Sequence, residues 1–296
     1  MLLQTPHARL AIRPEIGRIV EFGRRAPDSP NMLWLNPEQR SRPVSPKSQW
    51  ANWGGDKVWA SWQSAWPEVM GRGWPPDEVL DGGRFEVLER SERRAVIASG
   101  TSPYLGVRLT REIELARDGP RVVIRNVLAR VASSPHPVHI WSVTQVPVAE
   151  YYLLGTGLPA GDPRPRWVGL SAKPEDSERF LSPAGPAARF TPPRDRATKV
   201  GALGGWVAGV YGRDVFLQVA HFDPQGDYPD RSSVQVYADK AYAELETLSP
   251  QRRLGAGESM ANTVEWMLLE RRAGESPEEL ARRLDALAAQ RAGGGA

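Results

Sequence analysis

The sequence contains no cysteine, which excludes disulfide frameworks, zinc ribbons and thiolate nucleophiles. Lysine is scarce as well, since five of the 38 basic residues are lysine and the others are arginine. No run of basic residues is longer than two, and the formal net charge is only +3. A nucleic-acid surface needs clustered positive side chains, so we expect no nucleic-acid partner.

Long apolar stretches are also missing. No segment approaches the roughly 18 consecutive apolar residues of a membrane-spanning helix, and the N-terminus lacks the basic stretch and apolar core of a signal peptide. We therefore expect a cytoplasmic protein with no membrane partner. The glycine-rich motifs that cradle nucleotide phosphates are absent, and the spacing of the acidic residues does not favour a metal site. No cofactor and no metal are expected.

What the sequence does contain is a series of short segments in which β-branched and aromatic residues recur with period two between glycine and proline turns. The clearest are 107–115 and 121–131. The other candidate strands are 8–12, 17–22, 32–35, 85–89, 95–100, 136–146, 205–211, 215–222, 234–239, 242–248 and 263–269. This pattern predicts an all-β chain folded as a large antiparallel sandwich, with a single domain over residues 1–296.

Two segments depart from this pattern. Residues 155–200 are rich in proline and glycine, which predicts a long irregular excursion. Residues 276–292 instead predict one short C-terminal helix. Ser276 and Glu279 have the spacing of a capping box, Pro277 suits the first helical position, and Leu280 and Leu284 begin an apolar stripe.

Tryptophan is the unusual residue type, because seven of the 11 lie between Trp34 and Trp74. An indole offers a flat apolar face and one N–H donor, which suits the C–H face of a sugar ring, and nearby polar groups can bind its hydroxyls. The candidate ligand contacts in this segment are Asn52, Trp53, Asp56, Lys57, Trp59, Trp62, Gln63 and Trp74. Gly54 and Gly55 would allow close backbone approach to a ligand or positive φ. The alternative is that these tryptophans fill the core beneath an irregular segment.

Acid–base candidates lie on three later strands. Glu244 and Glu246 share a strand face, and repulsion between them favours a raised pKa in one of them, unless both are solvated. His139 is a candidate acid or base, or a structural histidine, and Trp141 and Gln145 on its face join the ligand contacts. His221 is the other histidine candidate, since Asp223 alternates onto its face.

Several short motifs resemble those of the galactose-mutarotase-like superfamily, which contains aldose 1-epimerases and sugar-phosphate epimerases. They are N-W-G-G-D-K at 52–57, E-L-E at 244–246 and L-G-A-G-E-S at 254–259. The longer motifs N-W-G-G-D-K-V-W at 52–59, G-W-P-P-D at 73–77 and E-L-E-T-L-S-P at 244–250 are more similar still to a branch known only as a domain of unknown function. The resemblance implies a large antiparallel β-supersandwich that carries a sugar site.

The same resemblance implies roles for individual residues. Glu246, with Glu244 as the fallback, matches the base that removes the anomeric hydroxyl proton, and Lys57 resembles a basic residue that contacts the sugar. The acid that protonates the ring oxygen would be His139 or His221, although neither stands at the position of the family's histidine.

Two functions are therefore left open for this chain. The first is an epimerase-like enzyme that acts on a sugar or sugar derivative, and the second is a carbohydrate-binding or sensing protein without catalysis on the same scaffold. A third reading, an accessory or lyase-like role on polysaccharide, requires export.

Overall fold

The computed structural model describes residues 1–39 and 50–292. By their contacts the residues divide into two compact units. Unit 1 comprises Met1–Gln145 and Gln251–Thr263, and unit 2 comprises Val146–Pro250 and Val264–Ala296. The expectation of a single domain over the whole chain stays a prediction. In the part of the chain that is described, no helix has both the length and the apolar character needed to cross a membrane.

Strands make up most of the regular structure, and they belong to two large antiparallel sheets. The strands found in the described ranges are β1 Leu2–Gln4, β2 Ala8–Arg13, β3 Arg18–Arg24, β4 Asp56–Trp59, β5 Glu86–Arg90, β6 Arg94–Thr101, β7 Val107–Leu115, β8 Arg121–Arg130, β9 Trp141–Val146, β10 Tyr151–Gly155, β11 Trp167–Gly169, β12 Leu181–Ala184, β13 Ala187–Phe190, β14 Thr198–Ala202, β15 Trp206–Tyr211, β16 Asp214–Ala220, β17 Val234–Ala238, β18 Ala243–Leu248 and β19 Ser259–Glu270. The helices are α1 Trp66–Met70, α2 Pro174–Glu178 and α3 Pro277–Ala292.

Unit 1 contains two sets of antiparallel strands, in the orders β1-β2-β3-β4-β9 and β5-β6-β7-β8. On β7 every second residue from Val107 to Leu115 is buried and the residues between them are half-buried. One face of this strand therefore packs into the core, as the alternation in the sequence predicts.

A buried polar network joins the two sets of strands in unit 1. The Arg111 guanidinium on β7 forms an ion pair with Asp56 on β4 and donates to the side-chain oxygen of Asn126 on β8 at 3.0 Å. Thr144 on β9 donates to Asp56 at 2.8 Å, and Asn126 donates to Ser142 at 3.2 Å. Because buried charges are tolerated only when they are paired and hydrogen-bonded, this network is an integral part of the core.

Unit 2 contains the strand orders β11-β14-β17-β18 and β12-β13-β10-β15-β16-β19. Helix α3 packs Leu280 and Leu284 against apolar side chains of the second set, among them Leu153 and Leu217. Its N-terminus has the predicted capping box, because the Glu279 amide donates to Ser276 Oγ at 3.2 Å and the Ser276 amide donates to the Glu279 carboxylate at 2.8 Å. The predicted C-terminal helix is confirmed.

The prediction of an irregular excursion over 155–200 is wrong. This segment contains β11, α2, β12, β13 and the start of β14. These strands are short, and β11, β13 and β14 pair with strands distant in sequence, as in the pairing of Phe190 with Tyr152 and of Val168 with Gly201. Pro183 lies on β12 at the edge of its sheet, where a missing N–H group is tolerated.

Candidate functional site

The paired glycines at the start of β4 are required by the backbone. Gly54 and Gly55 have φ values of 84° and 74°, which favour glycine. A Cβ atom at Gly54 would lie 2.3 Å from the carbonyl oxygen of Trp34, and one at Gly55 would lie 2.3 Å from that of Ile19. The glycine pair therefore allows close packing of backbone on backbone. Asn52 contributes to the same turn, since its side-chain oxygen accepts a hydrogen bond from the Gly54 amide at 3.4 Å.

The residues that follow alternate between the two faces of β4. Asp56 lies on the core face and is buried, and its carboxylate is engaged by Arg111 and Thr144. Lys57 and Trp59 lie on the opposite face. The sequence places Asp56 and Lys57 together as candidate ligand contacts, whereas the structure separates them and commits the Asp56 carboxylate to the fold.

The second face of β4 continues onto β9. Trp59 lies opposite Trp141 and Lys57 lies opposite Val143, and Gln145 follows on the same face. The Trp59 and Trp141 rings meet edge-on with centroids 4.9 Å apart, and the Lys57 ammonium lies 5.0 Å from the Trp59 ring centre. We call Lys57, Trp59, Trp141 and Gln145 the tryptophan face. All four side chains are buried.

Three further indoles extend this face into a connected cluster. Trp66 packs edge-on against Trp59 at 5.2 Å, Trp74 lies 5.7 Å from Trp66, and Trp50 meets Trp74 edge-on at 4.7 Å. These rings differ in exposure. Trp66 is buried, Trp50 is half-buried, and Trp74 is 48% exposed. Trp50 and Trp74 form the accessible edge of the cluster, which we call the tryptophan rim.

Asp81 anchors the cluster, and sequence reasoning missed it. Its buried carboxylate accepts hydrogen bonds from the indole N–H groups of Trp59 at 2.9 Å and Trp50 at 3.1 Å, and it forms an ion pair with Arg18. These partners lie 22 to 63 residues away along the chain. A lone aspartate before two glycines carries no sequence signal for such contacts.

Trp53, Trp62 and Gln63 have separate environments. Trp53 is buried against Ile16 and Ala51, so this residue belongs to the core. Trp62 is half-buried and its ring lies 5.9 Å from that of His139. Gln63 is exposed at the start of a short 3-10 turn.

His139 is fully buried between aromatic rings, with Trp62 on one side and Trp141 at 6.1 Å on the other. Burial in an apolar, aromatic environment lowers the pKa of His139 to about 3. The imidazole is therefore neutral at neutral pH, and it would have to gain a proton before acting as an acid.

In unit 2, the predicted acidic strand places Glu244 and Glu246 on one face of β18. Val236 and Leu245 point into the core, and the opposite face carries Glu246 across from Gln235. The Glu246 carboxylate lies 2.9 Å from the Lys199 ammonium on β14. Glu246 is fully buried and the Lys199 side chain is 22% exposed. Sequence reasoning missed Lys199 because the strand pairing that brings it near is not local.

Glu244 lies half-buried opposite Tyr237 on the same face. Burial raises the pKa of the Tyr237 hydroxyl, and the negative charges of Asp239 and Glu244 raise it further. The face thus combines two carboxylates, an ammonium, an amide and a phenol that keeps its proton.

His221 lies elsewhere in unit 2. It is exposed at the end of β16 and lines a cavity of about 250 Å³ with Trp206 and Asp285 of α3. The Trp206 indole donates to Asp285 at 2.9 Å. Helix α3 covers one side of the β16 sheet. Glu246 is not among the residues that line the cavity beside His221.

Comparison with known proteins places the chain in a family. The sequence pattern of a family described as a domain of unknown function, DUF4380, matches residues 1–156, just over half of the chain. The chain belongs to this family. No curated protein matches the chain.

Several solved structures have a fold similar to that of this chain. It is similar to a candidate aldose 1-epimerase from Escherichia coli, with 13% identity, coverage of 91% of this chain and 98% of that one, and a TM-score of 0.62. A galactose mutarotase-like protein from Lactobacillus casei is 10% identical, with coverage of 90% and 99% and a TM-score of 0.58. A galactose mutarotase related enzyme from Lactobacillus acidophilus is 9% identical, with coverage of 92% and 97% and a TM-score of 0.57.

At these identities the similarity shows the fold alone. It confirms the galactose-mutarotase-like fold and the all-β class with two large antiparallel sheets. The roles of individual residues are not transferred by it.

Proposed function

We propose that this member of the DUF4380 family binds a carbohydrate, and that the tryptophan rim of unit 1 is its contact surface. The observation that carries the proposal is the exposed Trp74 ring, which packs against the buried Trp66 ring. Asp81 holds the cluster by accepting from the indoles of Trp59 and Trp50, and it pairs with Arg18. Because the cluster is preorganised, a sugar that packs against Trp74 immobilises little additional side chain.

Polar groups in the same segment of the chain suit the hydroxyls of such a ligand. Asn52 is half-buried and Gln63 is exposed, and both can donate and accept hydrogen bonds. The fold supports the same class of ligand by analogy, since one similar structure is a candidate aldose 1-epimerase.

The geometry favours binding over turnover. An epimerase needs a protonated acid near the ring oxygen, and His139 is buried and neutral. The other histidine candidate, His221, borders a cavity beside α3 that Glu246 does not line. We therefore rank carbohydrate binding without catalysis first.

The test is a titration of the protein with a glycan panel, followed by Trp74→Ala. We expect this variant to weaken the binding of any glycan that binds by about tenfold, the loss typical of a stacking aromatic at a binding surface. Trp167→Ala is the matched control, because Trp167 is a half-buried tryptophan on β11, outside the cluster. If a glycan binds Trp74→Ala and Trp167→Ala as tightly as it binds the wild-type protein, the tryptophan rim is not its contact surface.

The second candidate function is aldose 1-epimerisation, and the Glu246–Lys199 pair favours it. An ammonium at 2.9 Å stabilises the ionised carboxylate that a general base requires. Exchange NMR on glucose and galactose measures the rate of anomer interconversion directly. If the protein accelerates it and Glu246→Gln leaves that rate unchanged, Glu246 is not the base; if the protein does not accelerate it, these two sugars are not substrates.

A further inference from the structure

A cavity of about 310 Å³ lies in unit 1 next to Trp62. We call it the Trp62 pocket. Its wall includes Trp62, Glu68, Val69, His136, Gln251 and Arg253. Its volume lies at the small end of the roughly 300–1,000 Å³ typical of small-molecule sites. All of these residues except Trp62 are absent from the ligand contacts predicted from the sequence.

The pocket has one apolar wall and one polar wall. Trp62 and Val69 supply the apolar side, and the Trp62 ring is backed by the buried ring of His139. On the polar side, the His136 Nδ1 atom lies 3.7 Å from a carboxylate oxygen of Glu68. The exposed Arg253 guanidinium is steadied by a hydrogen bond to the carbonyl oxygen of Pro135.

The polar groups offer both hydrogen-bond roles. A guanidinium donates, a carboxylate accepts, an amide does both, and an imidazole donates through a ring N–H group. Arg253 and Glu68 carry opposite charges, so the wall has no strong preference for a charged ligand. A neutral ligand with one apolar face and a rim of hydroxyls matches this wall, and a sugar ring has that character.

The pocket also lies close to the tryptophan rim within unit 1. The Trp66 indole donates to the carbonyl oxygen of Ser61, next to Trp62, at 3.2 Å. The Trp66 ring also packs against Trp74, with ring centroids 5.7 Å apart. The buried Trp66 thus contacts both the rim and Ser61, which lines the pocket.

We infer that the Trp62 pocket is a second sugar subsite, and that the ligand is a neutral oligosaccharide with one unit at the rim and another in the pocket. The inference rests on the proposed carbohydrate-binding function and narrows its ligand class. It assigns stacking to Trp62 and hydroxyl contacts to Gln251 and Arg253.

The experiment uses the full chain labelled with 5-fluorotryptophan and observed by ¹⁹F NMR, with Trp62→Phe and Trp74→Phe assigning the two resonances. The probes are maltose, cellobiose and lactose, with glucose and galactose as their monosaccharides. We expect at least one disaccharide to shift both the Trp62 and the Trp74 resonance saturably. We also expect that disaccharide to bind more tightly than either monosaccharide.

Arg253→Ala should weaken disaccharide binding about tenfold, the effect of losing one charge-assisted hydrogen bond, and Arg253→Lys should restore part of it. The shift of the Trp74 resonance with monosaccharide should not change. Arg196→Ala is the matched control, because Arg196 is an exposed arginine of unit 2, and it should have no effect.

The outcomes separate the two ideas. A disaccharide that shifts the Trp74 resonance but not the Trp62 resonance contradicts the assignment of the pocket as a subsite. The same holds if Arg253→Ala binds the disaccharide as tightly as the wild-type protein does. Either result leaves the proposed function standing. Monosaccharides that bind as tightly as the disaccharides overturn the oligosaccharide assignment. If none of the five sugars shifts either resonance, the proposed function fails and the pocket inference fails with it.

Discussion

The two faces of β4 in unit 1 place neighbouring residues in opposite environments. On the core face Asp56 is bound by Arg111 and Thr144 in a buried polar network. On the other face Lys57 lies over the ring of Trp59, in a cluster whose outer member, Trp74, reaches solvent. One short motif therefore supplies a fold determinant and a candidate ligand surface, and residue type alone does not tell them apart.

The largest expected effect comes from breaking the core face. Asp56→Ala leaves the buried Arg111 guanidinium without its counter-ion, so we expect the free energy of unfolding to fall by about 4 kcal/mol. Urea denaturation measures this loss. Lys57→Ala, on the opposite face of the same strand, should cost clearly less, and equal losses would contradict the division of the two faces.

The anchor beneath the tryptophan cluster ranks next. Asp81→Asn removes the charge that pairs with Arg18 but keeps an oxygen that can accept from an indole, so we expect a loss of about 3 kcal/mol. Intrinsic fluorescence should shift to the red as water reaches the indoles. Asp162→Asn is a surface control whose carboxylate pairs with Arg164, and a comparable loss there would argue against the anchor.

The pH dependence tests the environment of His139, at the border of the cluster. The folded-state pKa of about 3 lies below the ordinary value of 6.5, so the unfolded chain binds more protons between these values and the free energy of unfolding decreases as the pH falls below 6.5. Between pH 7 and pH 5 this group should cost about 2 kcal/mol. Urea titrations at pH 7 and pH 5 should show that the free energy of unfolding falls by about 2 kcal/mol less in His139→Gln than in the wild-type protein. An equal fall in the two proteins would mean that the imidazole is not buried as described.

The smallest stability effect is expected at the rim. Trp74 is half exposed, so Trp74→Ala should change the free energy of unfolding by only about 0.5 to 1 kcal/mol. Thermal unfolding of Trp74→Ala and of Trp66→Ala, which lies in the buried part of the cluster, compares the loss of stability at the two positions. A loss at Trp74 as large as that at Trp66 would place Trp74 in the core.

Much of the fold could be predicted from local patterns. The alternation in 107–115 matches β7, and Ser276 with Glu279 marks the start of α3. The strands of 155–200 were not predicted because each is only three to five residues long, and three of the four pair with strands distant in sequence. The candidate site could also be predicted only in part. The clustering of tryptophans is evident from the sequence, but the contacts of Asp81 and Lys199 are not.

The sequence by itself determined the all-β class, the C-terminal helix and the concentration of indoles between Trp34 and Trp74, because strand alternation, capping and composition are local properties of the chain. Only the tertiary structure decided that Asp56 binds Arg111, that Trp53 and Trp66 are buried while Trp74 is exposed, and that Lys199 pairs with Glu246. These contacts are made between strands and loops far apart along the chain. Burial and ion pairing depend on which surfaces meet after the sheets form, and no pattern within one strand encodes that.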